Sequence, residues 1–193
     1  MKQFLEIAFV LALGLLVGGA LSFASIRNTN QLAALTLGQW TAWPKAGGVD
    51  ADPYTKARVA AEGAVPLGAA EGIAFHGSSD DSGRPLRLEC TYRIAGQTPQ
   101  ARFWTLTAER ANGRAIRRAN GKAATLISRD ILRRRSGDFE LLASATLQSG
   151  NWLELAGSGE FALVFRLYDT QIGTASGLFE PSMPSLTLMG CSR

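Results

Sequence analysis

The longest apolar run of the chain lies at its N-terminus. From Phe4 to Ile26 only Glu6, Ser22 and Ser25 interrupt it, behind a basic Lys2. About 20 helical residues at 1.5 Å each cross the roughly 30 Å hydrocarbon core. Bilayer interior also demands internal backbone hydrogen bonding, so the run predicts a helix. A cleaved signal fits because Ser22 and Ala24 supply small residues at the −3 and −1 positions of a cleavage site. The length favours an uncleaved transmembrane anchor, since signal cores usually run about 7–15 residues. A buried core helix would need a polar face that this run lacks.

Beyond it the pattern shortens. "NTNQLAALTLGQWTAWP" reads as a brief continuation of the helix, broken at "WPKAGG". "DADPYTKARVAAEG" predicts a short amphipathic helix, with Asp50 or Asp52 as cap, Pro53 in the first turn and Gly63 as the stop. Tyr54, Ala57 and Ala61 would be its docking face. From Gly72 the period becomes two. In "PLRLECTYRI", Leu86, Leu88, Cys90, Tyr92 and Ile94 alternate with Arg87, Glu89, Thr91 and Arg93, the signature of a half-buried strand. The turn residues "SSDDSGR" join it to "GIAFH" as an expected hairpin. Further strands are expected at "ARFWTLTA", "ATLIS", "FELLASA", "FALVFRLYD" and "SLTLMG". Short strands divided by Gly, Asn, Ser and Pro turns predict a mainly β, antiparallel sandwich or barrel. No repeat divides it. The expected organisation is 1–27 anchor or signal, 28–64 helical connector and 65–193 β domain.

In "NWLELAGSGEFALVFRLYD", Phe161, Leu163, Phe165 and Leu167 share one strand face, while Val164 and Tyr168 make the other partly apolar. A strand apolar on both faces belongs to the interior. This segment therefore reads as core wall rather than active site.

Composition narrows the chemistry. With 46% hydrophobic and 19% charged residues among 193, the chain is globular and large enough for a core. A net charge of +4 is too small to argue nucleic-acid binding without a motif, and none is present. A Ser-His-Asp triad would have to use His76, the single histidine. No G-x-S-x-G elbow accompanies it, and a surface turn histidine is the simpler reading. One His and two Cys are too few for a zinc centre, and no cofactor motif appears. Asp80, Asp81 and Glu89 are conceivable calcium ligands but read more simply as a polar turn. Glu89, Asp130, Glu154, Glu160 and Asp169 are the carboxylates a glycoside hydrolase could pair. Trp104 and Trp152 could stack sugars, although strand tryptophans are more often core.

One charge feature stands out. Between Arg110 and Arg135 there are nine basic residues against Asp130 alone. Arg129, Arg133, Arg134 and Arg135 are the candidates for contact with anionic head groups or an acidic partner, at about 1 kcal/mol per well-placed cation. A solvated strand edge, where charge discourages pairing, is the alternative.

"SSDDSGRPLR", "ARFWTLTAER", "SRDILRRRSGDFEL" and "NWLELAGSGEFALVFRLYD" together resemble the bacterial family catalogued as domain of unknown function 1214. Its D-x-x-G-x-P-L hairpin falls at Asp80–Leu86 and its F-W-[ST]-L-T strand at Phe103–Thr107. Its D-G-x-x-x-[IV] turn falls at Ser136–Leu141, with Gly137 and Asp138 in reversed order, and its N-W-L…R-[LF]-Y segment at Asn151–Tyr168. The likeness covers roughly residues 65–185. It implies a jelly-roll-like β-sandwich, found alone behind an N-terminal hydrophobic segment or fused behind a sister domain, with no established activity.

Cys90, on the inward side of its strand, and Cys191, three residues from the C-terminus, are expected to pair, with Cα atoms about 4.4–6.8 Å apart. Two unrelated buried thiols are the alternative. The expected protein is a single-pass inner-membrane module with its C-terminal domain in the periplasm. It would use no cofactor and bind a partner protein or envelope polymer. A carbohydrate-active enzyme using two carboxylates in a sandwich cleft is the alternative.

Overall fold

The alternations beyond Gly72 build two sheets that share one apolar interior. A computed structural model describes residues 2–28, 34–62, 66–68, 70–170, 172 and 181–191. The elements are α1 (Lys2–Asn28), β1 (Leu35–Leu37), β2 (Trp40–Ala42), α2 (Pro53–Glu62), β3 (Gly72–Gly77) and β4 (Cys90–Gly96). They continue with β5 (Phe103–Glu109), β6 (Thr125–Ile127), β7 (Phe139–Ser144), β8 (Asn151–Glu154), β9 (Ala162–Tyr168) and β10 (Ser185–Cys191). One sheet has the order β1-β2-β3-β9-β5-β6 and the other β10-β4-β7-β8. They pack as a sandwich, with Trp40, Phe75, Trp104, Leu106 and Phe165 of the larger sheet facing Tyr92, Ile94, Phe139, Leu141 and Leu186 of the smaller. Trp104 stands 5.3 Å from Phe139 across the interface.

Several expectations change. The helix expected past Asn28 gives way, over the described residues 34–42, to the β1–β2 hairpin at the edge of the larger sheet. Three-residue strands are too short to show a period. Residues "GIAFH" and "PLRLECTYRI" do not form a ladder: β3 pairs with β2 and β9, and only a Ser79–Pro85 bridge closes the turn between the two segments. Leu86 and Leu88 keep the inward alternation and are fully buried, but the chain turns at Leu88–Glu89 and enters the other sheet at Cys90. All ladders are antiparallel except β7–β8, which runs parallel. Six residues make that return, and β8 pairs with the last four of the six residues of β7. Asn151 fixes it, donating to Leu132 O (2.9 Å) and Glu140 O (2.8 Å) and accepting from Leu132 N (2.7 Å).

α2 starts as its sequence requires. Asp52 accepts the N–H groups of Tyr54 and Thr55 (both 3.0 Å) and the Thr55 hydroxyl (2.6 Å), directly before Pro53. Its buried side holds Thr55, whereas Tyr54 is half exposed, so the docking face is rotated from the expected one. The Ala61 side chain and the Gly63 stop lie outside the described residues. The window Lys2–Ala24 of α1 is long and apolar enough to cross a membrane and has the character of an anchor or a signal. With the disulfide described below, it points to an extracytoplasmic domain.

Candidate functional site

Four turns organise the polar ends of the sandwich, and all have one design. In Asp80–Arg84, Arg110–Arg114, Arg118–Lys122 and Arg134–Asp138, the first N–H donates to the fifth carbonyl and the fourth N–H to the first carbonyl. The fourth residue is always glycine at positive φ, between 74° and 88°, the left-handed position that follows a type I turn in this hairpin loop. This explains the order Gly137-Asp138, since glycine must stand fourth. Two of these turns are a repeat, contrary to expectation: "RANGRA" and "RANGKA" recur eight residues apart, with Asn112 and Asn120 each accepting the N–H two residues on.

The turns also divide the basic run. Arg110, Arg114, Arg117, Arg118 and Lys122 follow the Glu109 end of β5. Arg129 to Arg135 lie beside its Phe103 end, where Ser128 Oγ accepts from Trp104 N (3.1 Å). Seven strand residues, about 20 Å, separate the two groups. In the first group, Arg110 donates to Ser158 O (2.7 Å), Arg117 to Gly121 O (2.7 Å) and Arg118 to Thr125 O. Those guanidiniums cap carbonyls.

The second group is more open. The Arg129 and Arg135 side chains are exposed and make no hydrogen bond or ion pair among the described residues. Arg133 lies 5.7 Å over both the Trp104 and Phe139 rings. Arg134 (3.1 Å) and Arg93 (3.0 Å) share one carboxylate oxygen of Glu140. The hydrogen bond from Arg93 holds the Glu140 carboxyl below its usual range. Leu132, 70% exposed, projects among these cations. A shallow groove of about 310 Å³ runs from here, lined by Leu132, Arg133, Arg134, Glu140, Leu142 and Asn151 among others. Arg93 and Glu140 were not singled out from the sequence because outward positions of an alternating strand look merely solvated, and only the β4–β7 register brings the two together.

The remaining candidates have structural employment. Asp80, 1% exposed, receives Ser82 N, Ser82 Oγ, Arg84 N and the Arg84 guanidinium within its own turn. Burial alone would raise its carboxyl, but these hydrogen bonds hold it at about 2. Asp81 reaches β10 instead, accepting Leu186 N (3.0 Å) and the Thr187 hydroxyl (3.1 Å). Glu89 accepts Gly159 N (2.9 Å), which lowers its carboxyl. Glu154 accepts Ala119 N (2.8 Å), Asp169 faces Arg102 at 4.0 Å, and Asp130 and Glu160 are exposed. The displaced carboxyls among the described residues, those of Asp52, Asp80, Glu89, Asp138 and Glu140, all move downward, the opposite of a glycosidase general acid. Among the described residues no three His, Cys, Asp or Glu side chains gather as metal ligands. His76 is not in a turn but within β3, ring-to-edge with Trp43 at 5.7 Å. Trp104 is core, 2% exposed, whereas Trp152 is half-buried on the outward side of β8.

Cys90 and Cys191 form a disulfide. Their Cα atoms are 3.9 Å apart, under the expected range, because they face each other across β4 and β10, where narrow antiparallel pairs stand about 4.5 Å apart. Asp81 and a Trp40 Nε1–H bond to Pro184 O (2.7 Å) complete the attachment of the C-terminal strand.

No curated protein matches the chain. The crystal structure of the VPA0106 protein from Vibrio parahaemolyticus is similar at 19% identity and a TM-score of 0.56, over 72% of this chain and 36% of that one. An uncharacterised protein from Burkholderia cenocepacia is 19% identical over 93% of this chain and 51% of that one, with a TM-score of 0.40. The chain thus spans about a third and a half of their lengths. The first likeness concerns the fold alone. Over residues 71–172, which hold β3 to β9 and all four quoted motifs whole, the match is to a defined family. The chain belongs to the family described as protein of unknown function (DUF1214).

Proposed function

We propose that this protein is a single-pass inner-membrane module whose jelly-roll-like domain stands in the periplasm and binds an acidic partner, a protein or an envelope polymer, without catalysis. The observation that carries the reading is the open basic end: Arg129, Arg133, Arg134 and Arg135 around exposed Leu132. Arg133, Arg134 and Arg135, at the start of one hairpin turn, outnumber the carboxylates of Glu140 and Asp138 beside them and leave a local positive charge that selects acidic ligands. The direction of the chain supports a membrane-near position for this end. β1 runs toward the Gly77 end of the sheet, so the chain enters from the side of Phe103 and Tyr168. Seven Cα steps from Asn28 to Leu35 reach at most about 25 Å.

The test uses the full chain purified with its bound partners from detergent-solubilised membranes, beside the triple variant Arg133→Glu, Arg134→Glu, Arg135→Glu. The same variant is compared with the parent for preference of phosphatidylglycerol over phosphatidylcholine vesicles, since α1 alone would enter either. Charge reversal should remove the co-purifying partner and the phosphatidylglycerol preference while urea unfolding stays cooperative. Retention of the same partners by a folded triple variant refutes the reading.

A further inference from the structure

The outward face of the smaller sheet carries an ordered row of side chains. Register aligns Thr187 of β10, Arg93 of β4, Leu142 of β7 and Trp152 of β8. At about 4.8 Å per strand the row is roughly 14 Å long, enough for a short oligosaccharide. Ser185 and Glu140 flank it on one side, Thr91 and Ser144 on the other. Trp152 Nε1–H donates to Ser144 O (3.0 Å) on the neighbouring strand. That bond ties the indole to β7, and Trp152 stays half-buried on the outward side. The groove lined by Leu132, Arg134, Glu140 and Leu142 continues the row toward the basic end.

Charge and shape together select an occupant. Arg93, Arg133 and Arg134 are answered by Glu140 and by Asp138 beside Arg134, so three cations against two carboxylates leave the groove net positive. The Trp152 indole, two strands from Arg93 in the row, suits the C–H face of a sugar ring, while hydroxyls and cations take the oxygens of the same chain. A lipid headgroup would meet the protruding Leu132 tip rather than this extended face. We infer that the Thr187–Arg93–Leu142–Trp152 face and its groove bind an acidic polysaccharide, with a pyranose ring on Trp152 and uronate carboxylates on Arg93 and Arg134. This rests on the reading of the basic end as a binding surface and names its ligand class and its floor.

The experiment is affinity electrophoresis of the full chain in detergent micelles through gels containing polygalacturonate, neutral dextran or polyaspartate, with preference for phosphatidylglycerol over phosphatidylcholine vesicles as a parallel arm. Polygalacturonate should retard the parent, while dextran and polyaspartate should not. Arg134→Gln, at a side chain 67% exposed, should weaken retardation about tenfold. Trp152→Ala should abolish it. Because that variant also loses the Ser144 tether, Trp152→Phe serves as a second probe: polygalacturonate should shift tryptophan emission in the parent and not in this variant. Equal retardation by polyaspartate, or retardation indifferent to Arg134 and Trp152, overturns the inference. A phosphatidylglycerol preference without polygalacturonate binding overturns it but leaves the basic end as a binding surface. Loss of both overturns both.

Discussion

Replacing Asp80 with asparagine separates a structural carboxylate from a functional one. The amide oxygen of asparagine can still accept the N–H groups of Ser82 and Arg84, but it loses the charge and the Arg84 guanidinium at 3.0 Å. A carboxyl moved from 3.8 to about 2 stabilises the fold by at most about 2.5 kcal/mol when ionised. Arg84 is 62% exposed, and solvent screening there lowers the expectation to about 1.5–2 kcal/mol. For a chain of this size that is a fall in Tm of about 3–8 °C. The sign follows from the lowered carboxyl: its contribution is complete above pH 3.8 and is lost as pH falls through about 2. Urea unfolding of parent and Asp80→Asn in the same detergent should therefore show a gap of about 1.5–2 kcal/mol at pH 7. The gap should close between about pH 4 and pH 2. A gap below about 0.5 kcal/mol at pH 7, or one of constant size down to pH 2, would refute the assignment of Asp80 as the ionised brace of its turn.

Two further outcomes are expected. Protein purified without reductant should titrate no free thiol, and Cys90→Ser with Cys191→Ser should lose about 2–4 kcal/mol in urea unfolding; two titratable thiols would contradict the Cys90–Cys191 pair. The protein should sediment with membranes and resist carbonate extraction, as α1 requires if it is retained; a soluble species beginning at Ser25 would mean that α1 is a cleaved signal.

The sequence made the strands visible where five or more residues alternate, as from Leu86 to Ile94, because one face of each is buried and the period of two is forced. It hid β1 and β2, since "LTL" and "WTA" hold too few positions to distinguish a period of two from one of 3.6. Pairing was less legible than strand existence. β3 and β4 looked like hairpin partners across a tight turn, yet Leu88 and Glu89 carry the chain from one sheet to the other. Such a switch depends on what lies opposite, here Gly159 and Glu160, about 70 residues away. The basic run illustrates the same limit. Its residues are close in sequence, but β6 and the two repeated turns between them set its halves at opposite ends of β5. The groove floor, Arg93 with Glu140, joins strands separated by 47 positions and follows from register rather than motif.

The position of β9 has a consequence for how the domain comes into being. β9 lies between β3 and β5, and those two strands do not touch each other. Until residues 162–168 emerge, the larger sheet exists only as two pieces, β1-β2-β3 and β5-β6, each with an open apolar edge. The smaller sheet likewise waits for β10, whose partners on β4 lie some 90–100 residues earlier. Loop closure over such distances is slow compared with local turn formation. A chain arrested before Ala162 should therefore remain unfolded and aggregation-prone, whatever the strength of its early hairpins. Closure of both sheets therefore waits for β9 and β10, and Cys90 cannot pair with Cys191 before that last strand arrives.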